Sequence, residues 1–226
     1  MKLQVAGENS LILYLGKDAD EATSARVQAA VATIEMTLGD RLLDLVPSYA
    51  SILILFDLQS VDHMTVMKTL HKALAEPTTR AAGKGRTITL PVYYSRETGI
   101  DLEPLAARAS LSVEQVIELH ANTGYRVFAI GFAPGFAYLG QVDPRIAAPR
   151  LRTPRQRVPR GSVAIADRQT AVYPSESPGG WNLVGRCPVS LFNPAQDPAM
   201  PIAVGDEVYF EPISRAQFLS LGGDLG

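Results

Sequence analysis

The chain has 226 residues, 46% of them hydrophobic, enough to bury a sizeable core in one large domain or two small ones. Its 21 basic and 23 acidic side chains leave a formal charge of -2, which gives no global electrostatic attraction to nucleic acid or an anionic membrane. A single cysteine, Cys187, excludes an internal disulfide and a cysteine-based zinc cluster, and no apolar run approaches the ~20 residues that span a bilayer. The expected address is cytoplasmic.

In chain order, residues 11–15 form a short apolar run with strand character. Residues 19–38 place Ala22, Ala25, Val27, Ala30, Val31, Ile34 and Met36 close to helical spacing, with Gly39 as the stop. Residues 51–56 read as a buried strand. Residues 61–74 return to a helical pattern, with Met64, Met67, Leu70 and Leu74 on one side. Strand, helix, strand, helix predicts a small α+β layer. The polar stretch 76–85 then reads as a linker, which places an α+β domain at 1–82 and a second domain at 83–226.

Beyond the linker, 87–94 has good strand formers, and 101–108 and 112–122 predict two short helices. The second opens on Ser112-Val-Glu-Gln115, a capping-box pattern. Residues 125–130 lead as a strand into Gly131-Phe-Ala-Pro-Gly-Phe-Ala-Tyr-Leu-Gly140. Residues 162–166 and 169–173 flank Asp167-Arg168 as a hairpin, and 189–192 and 207–210 add further strands. Short strands between Gly/Pro loops predict a barrel or sandwich for this half.

From Gly131 to Arg186, glycines, prolines and aromatics stand beside a train of arginines. Gly costs about 1 kcal/mol and Pro about 3 kcal/mol per helical position, so the stretch is loop and strand. Glycines permit close backbone approach, prolines hold loops rigid, and Phe132, Phe136, Tyr138 and Trp181 offer flat apolar surface. The train Arg145, Arg150, Arg152, Arg155, Arg157 and Arg160 alternates with prolines. One reading is a solvated basic loop; the other is a surface for carboxylate or phosphate, which guanidinium groups match in bidentate geometry.

No self-sufficient catalytic set accompanies this surface. His63, His71 and His120 form no zinc-ligand spacing, so no metal site is expected. His63 and His71 read as surface or capping residues, and His120 as a helix-terminal one. No Gly-x-Ser-x-Gly elbow surrounds a serine. Cys187 beside Arg186 reads as packing rather than a reactive thiol. Gly83-Lys84-Gly85-Arg86-Thr87 lacks phosphate-loop spacing, and a strand rather than a helix follows it. Catalytic residues stay unassigned.

The ordered motifs Gly131 to Gly140, Pro149-Arg150, Thr153-Pro-Arg155, Val158-Pro159, Gly161-Ser-Val-Ala-Ile165, Tyr173-Pro174, Ser177-Pro-Gly-Gly-Trp181 and Gly185-Arg186 resemble one family. It is the family of the B subunit of ATP-dependent 5-oxoprolinase, also described as KipI-like or allophanate hydrolase subunit 1. The likeness is strong over residues 92–212. Cys187 stands where threonine is usual, Arg160 where a small residue is usual, and Tyr93-Tyr94-Ser95 replaces a more typical Tyr-Asp-Gly.

The resemblance implies a ferredoxin-like α+β domain followed by a mainly-β cyclophilin-like barrel. It implies a non-autonomous enzyme subunit, inactive alone, whose complex opens 5-oxo-L-proline to L-glutamate with ATP used by the complex rather than held by this chain. Expected partners are the 5-oxoprolinase C subunit, which is KipA-like and cyclophilin-like in its turn, and the A subunit. Two other readings are an inhibitor of a sporulation-type histidine kinase and a carboxyltransferase-type subunit of urea or allophanate metabolism. A prolyl isomerase is not expected, because fold does not fix function. The expected substrate-binding or partner-shared site has one wall of Phe132, Pro134, Gly135, Phe136 and Tyr138 and another of Ser177, Gly179, Gly180 and Trp181. Arg150, Arg155 and Arg186 are its expected anion contacts, with Arg155 dispensable for folding.

Overall fold

A computed structural model describes residues 1–17, 20–75 and 85–225. The chain divides into two compact units, Met1–Lys84 and Gly85–Gly226. The boundary expected after residue 82, like most of the expected linker, lies outside the described residues.

The first unit runs β1 (Lys2–Gly7), β2 (Ser10–Tyr14), α1 (Glu21–Leu38), β3 (Leu42–Pro47), β4 (Ser51–Phe56) and α2 (His63–Ala75). Its sheet has the order β1-β2-β4-β3, antiparallel throughout. From β2 onward the order β-α-β-β-α is that of a ferredoxin-like domain. The edge place beside the first strand is filled by β1, which arrives from the N-terminal hairpin. Both helices share one core with Leu11, Leu13, Ile52, Ile54 and Phe56. Asp20 caps α1 by accepting from the Thr23 amide at 2.6 Å, and Gly39 closes it at φ 49.

Three details depart from the sequence pattern. The edge strands β1 and β3 are mostly exposed or half-buried, so neither carries the apolar alternation that would announce it. On α2 the buried stripe is Val66 and Leu70, with Met67 and Leu74 half-buried, whereas Met64 is 75% exposed. Met64 precedes Val66 by two residues, and two steps of a helix point to opposite sides. Met36 of α1 is exposed for the same reason, lying two residues beyond the buried Ile34.

The second unit continues with β5 (Thr87–Val92), α3 (Leu102–Ala109), α4 (Val113–Ala121), β6 (Tyr125–Ile130) and β7 (Ala137–Gly140). There follow β8 (Arg155–Val158), β9 (Ser162–Ala166), β10 (Gln169–Val172), β11 (Ser177–Gly179), β12 (Asn182–Arg186), β13 (Glu207–Pro212) and α5 (Arg215–Ser220). Seven strands form one sheet in the order β12-β9-β10-β7-β6-β13-β5, antiparallel except for the β13–β5 pair. A bridge between Tyr93 and Arg186 joins the two ends: the Tyr93 amide donates to the Arg186 carbonyl at 2.8 Å and the Arg186 amide to the Tyr93 carbonyl at 3.0 Å. The sheet is thereby nearly closed into a barrel, one of the two alternatives the strand pattern allowed.

The barrel strands serve two cores. Val163, Ile165, Val172 and Val184 face the interior with Leu90, Val127, Leu139, Val208 and Phe210. Their neighbours Ala164, Ala166, Ala171 and Leu183 face outward into a second cluster built on Phe136, Tyr173 and Trp181. Alternate side chains of a strand point to opposite faces, so burial on both faces makes β9 apolar from Val163 to Ala166 and buries every position of β12, Asn182 and Arg186 included. Residues 189–192, expected as a strand, are irregular. Pro188 and Pro194 bracket the run and donate no ladder hydrogen bonds, and Leu191 enters the core from a loop.

Candidate site around Phe136 and Trp181

The loop between β6 and β7 places the first expected wall. The Phe136 amide donates to the Ala133 carbonyl at 3.0 Å, so Pro134 and Gly135 are the central pair of a β-turn, and the second of them sits at φ 89. That is the type II arrangement, with proline presetting the first position and glycine supplying the left-handed second. A Cβ at Gly135 would also stand 2.9 Å from the Leu191 carbonyl oxygen. Phe132 holds φ 71 without being glycine, and 66% of its surface is exposed. A bulky residue in that region is strained by roughly 1–2 kcal/mol.

Phe136 is the hub. Its ring lies 5.2 Å from Phe132, 4.9 Å from Tyr138, 5.4 Å from Tyr173 and 5.7 Å from Trp181, each edge to face. Phe136 and Trp181 are buried, so they support the surface from below, and Phe132, Pro134 and half-buried Tyr138 present it. The Arg150 guanidinium stands 5.7 Å over the Trp181 ring, a cation–π contact. Gly180 accepts from the Leu151 amide at 2.7 Å, tying the arginine segment to the same place.

Ser177 and Gly179 lie on β11, which pairs with β8 opposite Val158 and Arg155 in a separate two-stranded ribbon. Gly179 is required by packing: a Cβ there would meet the Tyr173 hydroxyl oxygen at 2.3 Å. Arg155 has a partner within the protein. Its Nη2 donates to Asp101 Oδ1 at 2.8 Å and its Nη1 to the Trp181 carbonyl at 3.3 Å. The anion beside Arg155, expected as an anion contact, is in this structure the buried Asp101 carboxylate, which also accepts from the Leu183 amide at 2.7 Å.

Arg186 is not with the others. It ends β12 whereas Trp181 precedes it, and five extended residues separate the two by roughly 16 Å. Ten of the twelve expected residues therefore surround the aromatic cluster or its ribbon, Arg155 is tied beneath them, and Arg186 belongs to a second cleft.

Asp101, Tyr173 and His120 escaped notice in the sequence as parts of these networks. His120 is completely buried; Tyr94 Oη lies 2.7 Å from its Nδ1 and Thr170 Oγ1 2.8 Å from its Nε2. Thr170 donates its hydroxyl to the Ala164 carbonyl, so it accepts from a proton on Nε2, and Nδ1 accepts from Tyr94. The ring is a neutral core member stacked 4.9 Å from Phe210, and burial pushes its pKa down to about 3. Burial likewise pushes the Cys187 thiol up to about 11, which keeps it protonated at neutral pH.

A model of the carboxyltransferase domain, subdomain C and D, matches residues 1–202. The chain belongs to that family. It is 36% identical, over 96% of this chain and 95% of the relative, to the 5-oxoprolinase B subunit of Bacillus subtilis strain 168. The crystal structure of TTHA0988 superposes with a TM-score of 0.79 at 35% identity, covering 91% of this chain. The chain spans 40% of the length of that protein. The urea amidolyase of Kluyveromyces lactis gives a TM-score of 0.75 at 18% identity over 96% of this chain and 15% of that one, a likeness of fold.

Proposed function

We propose that this chain is the B subunit of a 5-oxoprolinase, a hydrolase complex that opens 5-oxo-L-proline to L-glutamate with ATP hydrolysis, and that it is inactive alone. The carrying observation is the likeness to the Bacillus subtilis B subunit along nearly the full length of both chains. The same proposal includes dependence on ATP and partnership with two further chains, one of them cyclophilin-like.

An amide in a five-membered ring resists hydrolysis, and phosphorylation of its oxygen creates a better leaving group. The residues before β5 do not suit phosphate binding of the loop type. Gly85 and Arg86 lead directly into a strand, and Arg86 donates to Asp206 Oδ2 at 2.7 Å, so its charge is already matched. The proposal accordingly leaves nucleotide to the assembled complex. The contribution of this chain is a rigid face: Pro134 lies in a type II turn, Phe132 immediately precedes that turn, and Arg150 lies on Trp181. A strained, exposed aromatic beside a fixed cation suits a site completed by a second protein.

Co-expression with the products of neighbouring genes and an assay of ATP-dependent glutamate release test the proposal. Activity is expected from the assembled complex and not from the chain alone. Full activity of the isolated chain would overturn the subunit reading, and a complex that consumes a different amide would overturn the substrate. The exposed Phe132 equally supports a regulatory reading, in which the same face binds a histidine kinase. A tight kinase complex without an oxoprolinase partner would favour it. The description of the matched domain family also motivates a carboxyltransferase reading, for which a partner biotin carboxylase would be the sign.

A further inference from the structure

A cleft of about 590 Å³ opens where β12 ends, away from the Phe136–Trp181 cluster. Arg186 and Cys187 form part of its lining, Arg157 and Arg160 stand on one side, and Phe218 with Gly222 to Asp224 on the other. Arg186 is 6% exposed, yet its guanidinium makes a single side-chain hydrogen bond among the described residues, from Nη1 to the Asp224 carbonyl at 2.7 Å. Its Nε is buried without a partner. A guanidinium carries five donors, and a buried cation without a contacting anion is costly.

The other charges in the cleft do not remove that imbalance. Glu176 is engaged by Arg157, Oε1 to Nε at 3.0 Å and Oε2 to Nη2 at 2.8 Å. Asp224 and, more remotely, Glu97 favour the Arg186 charge without outweighing its burial. Arg160 makes no hydrogen bond or ion pair among the described residues. Three guanidinium groups thus face two carboxylates in one concave site, and the two cations least provided for are Arg160 and Arg186.

Two glycines at or beside the cleft leave no room for a side chain, one against backbone and one against a buried ring. Gly161 holds φ 78 with its Cα against the Cys187 carbonyl, where a Cβ would come to 2.2 Å. Gly223 lies against the Phe218 ring, where a Cβ would come to 2.4 Å. A cleft shaped in this way keeps Arg186 in place whether or not a ligand is bound, which is the preorganisation that favours anion capture.

We propose that this cleft binds the oxyanion group of a small organic acid or phosphate, with Arg186 and Arg160 as its ligands. The assignment stands apart from the oxoprolinase reading, because an oxyanion can bind here whatever reaction the complex performs. If that reading also holds, a carboxylate is the natural occupant.

Calorimetric titration of the full chain at low salt with inorganic phosphate, L-glutamate, 5-oxo-L-proline and the uncharged lactam 2-pyrrolidinone tests it. At least one oxyanion is expected to bind at millimolar concentration or below, and 2-pyrrolidinone is not. Exposed Arg160 can change without disturbing the core, so Arg160→Gln should weaken binding about tenfold, and Arg186→Lys should weaken it further. Preferential binding of phosphate over the carboxylates would identify the source as phosphate, and the reverse as an organic acid. No oxyanion binding at 10 mM-scale concentrations, on the order of the weakest useful affinity, would overturn the proposal. So would oxyanion binding that Arg160→Gln leaves unchanged, or equal binding of 2-pyrrolidinone and 5-oxo-L-proline.

Discussion

Arg155 and Asp101, 54 positions apart, meet through a 2.8 Å ion pair in which only 24% and 9% of the two side chains remain exposed. The pair ties the ribbon strand β8 to the start of α3, and through the Leu183 amide it also holds β12. Removing the cation would leave Asp101 buried with one amide as its remaining side-chain partner. Arg155→Ala should therefore cost about 2–3 kcal/mol in urea unfolding, at the lower end for a broken buried pair. Arg157→Ala, which breaks an exposed and solvent-screened pair, should leave the urea midpoint close to that of the wild type. Equal effects would show that the Arg155 bridge is no more than a surface contact.

His120 makes stability depend on acid. Its folded pKa, about 3, lies below its ordinary 6.5, so the fold holds the ring neutral and the unfolded chain takes up the proton. The contribution is fully present above pH 6.5 and is lost as pH falls from there toward 3, at about 1.4 kcal/mol per pH unit. Asp143, with a pKa lowered from 3.8 to about 2 chiefly by its bond to Arg145, loses its own contribution only as pH falls from about 3.8 toward 2, below the pH values at which unfolding is followed. Chemical unfolding of the wild type at pH 7.5, 6.5, 5.5 and 5.0 should follow this slope, and His120→Gln should flatten it. An unchanged slope would place the acid sensitivity elsewhere.

Gly161 admits no side chain. The positive φ of 78 and the Cys187 carbonyl, 2.2 Å from where a Cβ would stand, act together, and the obstacle is backbone. Gly161→Ala should lower stability by at least about 2 kcal/mol or prevent folding, with thermal melting as the measure. Gly131, whose Cβ would meet nothing within 4 Å and whose φ is not positive, is the control. Gly131→Ala should melt within a few degrees of the wild type.

Phe132 separates folding from association. Its φ of 71 suits glycine better than phenylalanine, and its ring is 66% exposed. Phe132→Gly should leave stability within about 1 kcal/mol of the wild type, because relief of strain offsets the lost contact with Phe136. Co-purification with the cyclophilin-like partner should fall at least about tenfold, since exposed aromatic anchors dominate interfaces. Unimpaired assembly would remove Phe132 from the partner surface.

Local signals carried much of the fold. The capping box at Ser112 and Gln115 forms as its spacing predicts, with bonds of 3.2 and 2.8 Å, and the Asp167-Arg168 hairpin pairs Ala166 with Gln169. Gly39 stops α1, and Pro134-Gly135 makes the turn that proline and glycine demand. Such features depend on residues a few positions apart, whose energies are settled by backbone conformation before any packing occurs. The order of Gly/Pro motifs was likewise sufficient for the family resemblance.

What tertiary structure alone decided was which charged and aromatic residues are free to act. Arg150, Arg155 and Arg186 look alike as expected anion contacts, yet one lies on Trp181, one is paired with Asp101, and one is buried in a separate cleft. Phe132 and Phe136 belong to one motif, but only the first reaches solvent. The sequence determined the turns, the strands with two apolar faces and the kinds of group available. Tertiary packing decided their partners, because burial and ion pairing depend on contacts between residues far apart in the chain.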